Sequence, residues 1–233
     1  MKFLTANWED LIVINYKVNK EVLLPFLPKG TELDDFENKL YVSLIGFMFR
    51  NTRVLGVKVP FHVNFEEVNL RFYVKNEEGE RGVVFVKEIV PKTAIKTIAN
   101  SFFNEHYSVS KMNSYFEKSK EGNKVSYEWE EDGVSQFMKV KTKSKQEPII
   151  EGTKSEFIAE HYLGFTKINE VKTSSYKVGH PRWKQAEVTE FEMQVDFELN
   201  YGKQFSLLNK QEPDSVFFYK GSDISVSNKQ VLK

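Results

Sequence analysis

Hydrophobic and polar residues alternate over several short segments of the chain, as in β-strands that bury one side. Between Phe191 and Leu199 every second residue is apolar, which predicts a half-buried strand. Lysines recur with the same period over Lys139–Lys145, and because neighbouring lysines repel one another they indicate a solvated strand face. The predicted strands are Leu11–Val18, Leu40–Arg50, Val68–Val74, Gly82–Val90, Lys124–Glu131, Gln136–Ser144, Leu163–Ile168, Thr173–Val178, Thr189–Leu199 and Ser215–Tyr219.

Helical and turn signals are fewer. Thr153 is followed three residues later by Glu156, which is the capping-box pattern at the start of a helix. The Asp132-Gly133 pair between two predicted strands indicates a tight hairpin. The predicted helices are Asn19–Leu27, Thr93–Phe103 and Thr153–Tyr162.

Composition supports a folded chain that consists mainly of β-structure. The 233 residues include 20 Phe, 10 Tyr and 3 Trp, which supply enough apolar surface for a large core. We predict an α+β, mainly β fold that forms one domain over residues 1–233, with a large antiparallel or mixed sheet. Closing that sheet into a barrel would remove its exposed edges. The tail 228–233 is expected to fray.

Charge and cysteine content exclude several classes of function. Thirty-three basic residues balance thirty-three acidic ones, so no net field favours nucleic acid or an anionic membrane. Without cysteine the chain has no disulfide, thiolate nucleophile or zinc ribbon. The four histidines are not at metal-ligand spacing, and no glycine-rich phosphate loop is present, so we expect neither metal nor cofactor. No apolar segment is long enough to span a bilayer, and a cytoplasmic location is expected.

The most informative segment is the strand that contains Asn69, Arg71 and Tyr73. At a period of two residues these three side chains share one face. A guanidinium flanked by an amide and a phenol holds a carboxylate by a bidentate pair of hydrogen bonds with additional donors. The alternative is an ordinary solvent-facing side with cross-strand pairing.

Two lysines are candidates for covalent chemistry. Lys87 is in register with the apolar Val83, Phe85 and Ile89, which predicts that Glu88 points the other way. A lysine removed from water has a lowered pKa and forms Schiff bases with ketones. The alternative for Lys87 is a strand-end side chain that reaches solvent. Lys92 follows a proline shortly after this strand.

Aromatic residues and histidines also cluster at the ends of two elements. Glu160-His161-Tyr162 closes a predicted helix, and His180-Pro181-Arg182-Trp183 follows a predicted strand. Residues at such ends often line pockets, so Tyr162, His180 and Trp183 are candidate ligand contacts. The alternatives are simple helix termination and a rigid turn that docks Trp183.

Several short motifs in order resemble the YqjF-like family of uncharacterised conserved bacterial proteins, which is grouped with the acetoacetate decarboxylase-like superfamily. His161 replaces an Arg of that family's Glu-Arg-Tyr pattern, and Arg182 replaces a Pro of its His-Pro-Pro-Trp pattern. The matching motifs are Trp8-Glu9-Asp10-Leu11, Leu24-Pro25, Leu27-Pro28-Lys29-Gly30, Leu33-Asp34-Asp35-Phe36-Glu37-Asn38, Asn69-Leu70-Arg71-Phe72-Tyr73-Val74, Gly82-Val83-Val84-Phe85, Glu160-His161-Tyr162 and His180-Pro181-Arg182-Trp183.

The resemblance implies a cone-shaped, largely antiparallel β-barrel that encloses a pocket, with a few peripheral helices. Acetoacetate decarboxylases use a Schiff-base lysine within a Pro-Lys-Lys motif. Here Pro91-Lys92-Thr93 lacks the second lysine, and the alternative alignment, Glu105-His106-Tyr107-Ser108, has neither Pro nor Lys. The resemblance therefore supports the prediction of the fold much more strongly than a prediction of activity.

Four hypotheses of function remain open on sequence alone. In the first, the barrel binds a small anionic metabolite through Arg71, with His106, Tyr107 and Trp183 lining the cavity. The second is a lyase that forms a Schiff base with β-keto acids on Lys92 or Lys87. The third is acid–base hydrolysis or isomerisation by His106, Tyr107, Glu66 or Glu67. The fourth is a packed barrel with a structural or interaction role, and the sequence leaves homo-oligomerisation open.

Overall fold

The computed structural model describes residues 2–93 and 106–232, and strands account for most of them. Every segment predicted as a strand lies in or overlaps an observed strand, and most observed strands extend further at one end or both. The strands are β1 Lys2–Val18, β2 Thr31–Leu33, β3 Leu40–Val54, β4 Phe65–Asn76, β5 Arg81–Val90, β6 Tyr107–Val109, β7 Met112–Lys118, β8 Asn123–Glu131, β9 Val134–Pro148, β10 Leu163–Asn169, β11 Lys172–Gly179, β12 Lys184–Gln194, β13 Ser215–Ser227 and β14 Gln230–Leu232.

Seven strands close into a ring. Their order is β11-β10-β5-β4-β3-β1-β13, and β13 pairs back onto β11. The closing contact joins Val178 to Val226 and Gly179 to Ser225. The neighbours in this ring are antiparallel except β10 and β5, which are parallel. This arrangement is the mainly β architecture with a large, mostly antiparallel sheet that was expected from the sequence.

A second layer of sheet packs outside the ring. Strands β12, β9, β8 and β7 continue in that order from β13, while β2, β6 and β14 pair with β4, β5 and β11. β14 lies within the tail that was expected to fray. The ring strands therefore bury both faces: on β4, Leu70 and Phe72 belong to one apolar cluster and Phe65 and Tyr73 to another. Strands buried on both faces explain the near-continuous apolar runs of β1 and β3.

The helices are short and peripheral. Thr153 begins α2 as predicted, because its side chain accepts a hydrogen bond from the Glu156 amide at 3.4 Å. The predicted helix Thr93–Phe103 lies outside the described residues beyond Thr93. The described helices are α1 Lys20–Leu23, followed by a 3-10 turn over Leu24–Phe26, then α2 Lys154–Ala159 and α3 Phe197–Tyr201, followed by a 3-10 helix over Lys203–Lys210.

The strand predicted over Thr189–Leu199 is wrong at its C-terminal end. Strand β12 ends at Gln194 and helix α3 begins at Phe197. The reason is Asp196, whose carboxylate accepts a hydrogen bond from the Leu199 amide at 3.1 Å and caps the helix. The expected division into a buried and a wet face also fails at Phe191, which is 41% exposed.

The predicted orientation of Lys87 and Glu88 is reversed by a β-bulge in β5. Leu70 of β4 pairs with Lys87, but the next residue, Arg71, pairs with Phe85. The extra residue changes the side to which the following side chains point. Glu88 is therefore 2% exposed and faces the interior of the ring, whereas the Lys87 ammonium lies 2.8 Å from a carboxylate oxygen of Glu131.

Two local predictions are confirmed. The lysines of Lys139–Lys145 form a solvated face on which each ammonium is paired with a glutamate at 2.6 to 4.0 Å. Asp132 and Gly133 join β8 to β9 with φ of 47° and 78°, the left-handed backbone of a two-residue hairpin turn.

Within the described part of the chain, no helix reaches the length and hydrophobicity needed to span a bilayer.

The close packing of β13 against β1 predicts that two glycines with the same backbone conformation differ in how much stability their replacement costs. Gly221 (φ +80°) lies so close to β1 that an added Cβ would be 1.9 Å from the Trp8 carbonyl oxygen, whereas Gly133 (φ +78°) has open space. We expect Gly133→Ala to cost about 1 kcal/mol from the positive φ alone. Gly221→Ala should cost about 3 kcal/mol or more, because steric overlap adds to that strain. Urea unfolding of both variants measures the difference, and equal losses would contradict the close approach.

Candidate ligand-binding site

The main pocket lies inside the ring of strands. The free space inside it is about 120 Å³, and all seven ring strands contribute residues to its wall. Most of the described lining residues are apolar, and charged side chains come only from β4 and β5. The aromatic lining residues are Phe3, Trp8, Phe49, Phe65, Phe85, Tyr107, Tyr176 and Trp183.

Arg71 brings a positive charge into this apolar interior. It lies on the ring-facing side of β4 and is 8% exposed. Its Nη2 donates to the Ile158 carbonyl at 3.0 Å, and its guanidinium carbon lies 5.6 Å from the centre of the Tyr73 ring. Its Nε has no hydrogen-bond partner among the described residues. The cation is thus held in place while part of its donor capacity is left unused.

Two buried carboxylates line the same pocket. Glu67 on β4 and Glu88 on β5 are 3% and 2% exposed. The oxygens of Glu67 accept hydrogen bonds from the Asn69 amide at 2.9 Å and from the Tyr107 hydroxyl at 3.4 Å. The alternating pattern of β5 predicts that Glu88 faces away from the pocket. The prediction fails because the bulge that turns Glu88 inward has no obvious signal in the sequence.

His161 is a second polar group at the wall of the pocket. It is 6% exposed, and its ring centre lies 4.7 Å from that of Tyr73 and 5.7 Å from that of Phe157. Neither ring nitrogen makes a well-formed hydrogen bond within the described residues. Burial, followed by the charges of Arg71 and Arg81, lowers the pKa of His161 well below 6.5. The imidazole is therefore neutral at physiological pH and offers one donor and one acceptor.

A stack of three rings forms another part of the wall. His180 lies between Tyr162 and Trp183, with ring centres 4.7 Å and 4.4 Å apart and planes inclined by 30° and 20°. The Trp183 indole donates to the Ser222 hydroxyl at 2.9 Å, which fixes the end of the stack. Burial lowers the pKa of His180 below 6.5, while the Pro181 carbonyl, 2.9 Å from its Nδ1, opposes that shift.

The structure brings four of the predicted ligand contacts into one pocket and places the other three next to residues of its lining. Arg71, Tyr107, His180 and Trp183 belong to the lining. Three supporting contacts complete the set: Asn69 donates to Glu67, Tyr73 packs on His161 and shares a 2.6 Å hydrogen bond with Ser43, and Tyr162 stacks on His180.

The remaining chemical candidates lie elsewhere. Lys87 pairs with Glu131, and the Lys92 ammonium donates to the Phe61 carbonyl, so neither lysine belongs to the described lining. The His106 side chain is exposed, and Glu66 accepts from the Ser114 hydroxyl at 2.7 Å. Of the four acid–base candidates, only Tyr107 and Glu67 lie together in the pocket. No cluster of metal-ligating side chains occurs among residues 2–93 and 106–232.

The burial of His161 predicts how stability depends on pH. Because the folded-state pKa lies below the unfolded value near 6.5, the unfolded chain binds the extra proton first as pH falls. Stability should therefore fall below pH 6.5, by up to about 1.4 kcal/mol per pH unit, until the folded-state pKa is reached. His161→Phe should reduce this dependence and leave the part that arises from the lowered pKa of His180. Replacing the exposed His106 by Gln is the control, and an equal flattening there would contradict the role of His161.

The positions of the two lysines predict the result of a trapping experiment. With acetoacetate and borohydride, we expect no reduced adduct on Lys87 or Lys92, since a carboxylate and a backbone carbonyl hold their ammonium groups outside the pocket lining. Peptide mass mapping after reduction reads the result. An adduct on either lysine that disappears on its replacement by Arg would restore the Schiff-base hypothesis.

Comparison with known proteins agrees with this architecture. In sequence, residues 5–223 match the DUF2071 family, described as an uncharacterized conserved protein. The uncharacterized protein YqjF of Bacillus subtilis (strain 168) is 28% identical over 121 residues, which are 52% of this chain and 48% of that protein. The match thus spans about half the length of this curated relative.

Solved structures show the same fold at low sequence identity. Acetoacetate decarboxylase from Legionella pneumophila has a TM-score of 0.65 and 10% identity, covering 98% of this chain and 87% of that one. The enduracididine biosynthesis enzyme MppR, complexed with pyruvate, has a TM-score of 0.70 and 10% identity, covering 100% of this chain and 91% of that one. An acetoacetate decarboxylase-like enzyme from Sphingomonas wittichii RW1 has a TM-score of 0.66 and 11% identity, covering 100% of this chain and 94% of that one. Because the family match covers most of the chain, this protein belongs to the DUF2071 family of uncharacterized conserved proteins and has an acetoacetate decarboxylase-like fold.

Proposed function

We propose that this protein binds a small organic carboxylate inside the ring of strands, with Arg71 as its main contact. The observation that carries the proposal is the Arg71 guanidinium, 8% exposed in the pocket wall, whose Nε lacks a hydrogen-bond partner among the described residues. A buried cation is costly unless it is paired. A carboxylate in the pocket would supply an acceptor for Nε and a negative charge directly at the guanidinium.

The anchoring of Arg71 supports this role. One of its donors is committed to the Ile158 carbonyl at 3.0 Å, and the guanidinium lies beside the Tyr73 ring. These contacts limit the orientations that the side chain adopts before a ligand arrives. A group that is already oriented loses less entropy on binding, which increases affinity.

The other predicted contacts would surround the bound acid. Tyr107, His180 and Trp183 line the same pocket and would bound the ligand. Asn69 and Tyr73 would act indirectly: Asn69 holds Glu67, and Tyr73 packs on His161. Tyr162 would support the stacked His180. The MppR neighbour, solved with pyruvate, is a protein of this fold in complex with a small carboxylate.

Replacing Arg71 tests the proposal. Arg71→Met removes the charge and the donors, and we expect affinity for pyruvate or another bound carboxylate to fall by roughly 10- to 150-fold, because hydrogen bonds to charged groups contribute about 1.5–3 kcal/mol. Arg71→Lys keeps the charge but loses the planar donor pair, so an intermediate loss is expected. Isothermal titration calorimetry measures both.

The matched control is Arg53→Met on β3. This arginine is exposed and is absent from the pocket lining. Its replacement should leave carboxylate affinity within about twofold of the original, because substitutions at the surface usually change free energies by less than about 0.5 kcal/mol. If Arg71→Met and Arg71→Lys both fold, as shown by unchanged melting curves, and both bind as the original chain does, the proposal is wrong.

A further inference from the structure

We infer that the carboxylate taken by this pocket is a monocarboxylate with an apolar, preferably aryl, body. The inference rests on the proposed function for the charged end of the ligand and adds the chemical class of the remainder. It follows from the residues around Arg71, from the packing of aromatic side chains in the wall, and from the distribution of charge.

An apolar wall begins directly beside the guanidinium. In the β4–β5 ladder Arg71 pairs with Phe85, and Val83, two residues away, lies on the same side of β5. On the closing strands Val178 and Val226 also line the pocket. A ligand whose carboxylate meets Arg71 therefore places its next atoms against hydrocarbon. Against these side chains a polar body would lose its hydration, because they offer it no hydrogen bonds.

Aromatic side chains supply a large part of that hydrocarbon. Trp8 packs edge-on against Phe49 and Trp183, with ring centres 5.8 Å and 6.3 Å apart, and Phe49 stacks on Phe65 at 4.6 Å. All four line the pocket. Aromatic pairs with these separations favour a further ring packed against them in the same manner.

The charge distribution limits the ligand to one carboxylate. Arg71 is the only permanently charged cation among the described lining residues, and Glu67 and Glu88 line the same pocket. A second carboxylate on the ligand would find no second cation among these residues, and a buried charge without a partner is costly. A single acidic group next to Arg71 avoids this cost.

A series of four probes separates the charge of the ligand from its body. Titration calorimetry on the full chain would compare acetate, hexanoate, 3-phenylpropionate and the uncharged 3-phenylpropan-1-ol. Each buried methylene should tighten binding about fourfold. We therefore expect 3-phenylpropionate to bind at least about tenfold more tightly than acetate, and also at least about tenfold more tightly than the alcohol, since burial and charge contribute separately.

Removing one wall ring tests the same inference from the side of the protein. Phe85→Ala should weaken 3-phenylpropionate by at least about tenfold, because loss of a buried phenyl ring is costly. Acetate, whose single methyl group buries much less apolar surface, should change by less than about fourfold, the value for one buried methylene. Phe191→Ala on β12 is the control, since this phenylalanine is 41% exposed and is absent from the pocket lining.

The outcomes distinguish failure of the inference from failure of the proposed function. If acetate or pyruvate binds as tightly as 3-phenylpropionate and Arg71→Met abolishes both, the carboxylate function stands and the apolar body is refuted. If the alcohol binds as tightly as the acid, or if Arg71→Met leaves the acid unaffected, the carboxylate function fails. If none of the three acids binds, both fail.

Discussion

The pairing of β11 with β13 is the constraint on which the pocket depends. Among the described residues, two pairs are in register in this contact, Val178 with Val226 and Gly179 with Ser225, yet it turns an open run of strands into a ring. Without it, the side chains on one face of β4 would lie on an open sheet, where a guanidinium is hydrated and binds anions weakly. With it, the same side chains lie in a confined, largely apolar space where charge–charge interactions are much stronger.

The β-bulge in β5 decides which charges enter that space. With regular pairing, Lys87 would follow Val83 and Phe85 on the inner face and would place an ammonium near Arg71. The bulge instead sends Lys87 to Glu131 and turns Glu88 inward. The pocket consequently holds one guanidinium with carboxylates instead of two cations. One unpaired residue in β5 thus decides which charged side chain of this strand faces the pocket.

These two features also explain what the sequence could and could not predict. Period-two patterns located most strands, because each ring strand buries apolar residues on at least one face. They placed Asn69, Arg71 and Tyr73 on one face correctly but left open whether that face meets solvent or a cavity, since closure depends on residues more than 40 positions apart in β11 and β13. The bulge near Lys87 has no comparable signal. Strand β13 was predicted too short because Gly221 and Asp223 interrupt its apolar pattern.

The protonation state of His161 also determines the charge of the pocket. A protonated imidazole here would add a second positive charge beside Arg71 and would favour dianions. Burial and the nearby arginines keep its pKa well below 6.5 instead, so at neutral pH it contributes hydrogen bonding without charge. Arg71 remains the cation, fixed by the Ile158 carbonyl and bordered by Phe85 across the ladder. One oriented positive group within a wall of aromatic and aliphatic side chains is suited to an amphipathic anion, because each end of such a ligand finds the environment it requires.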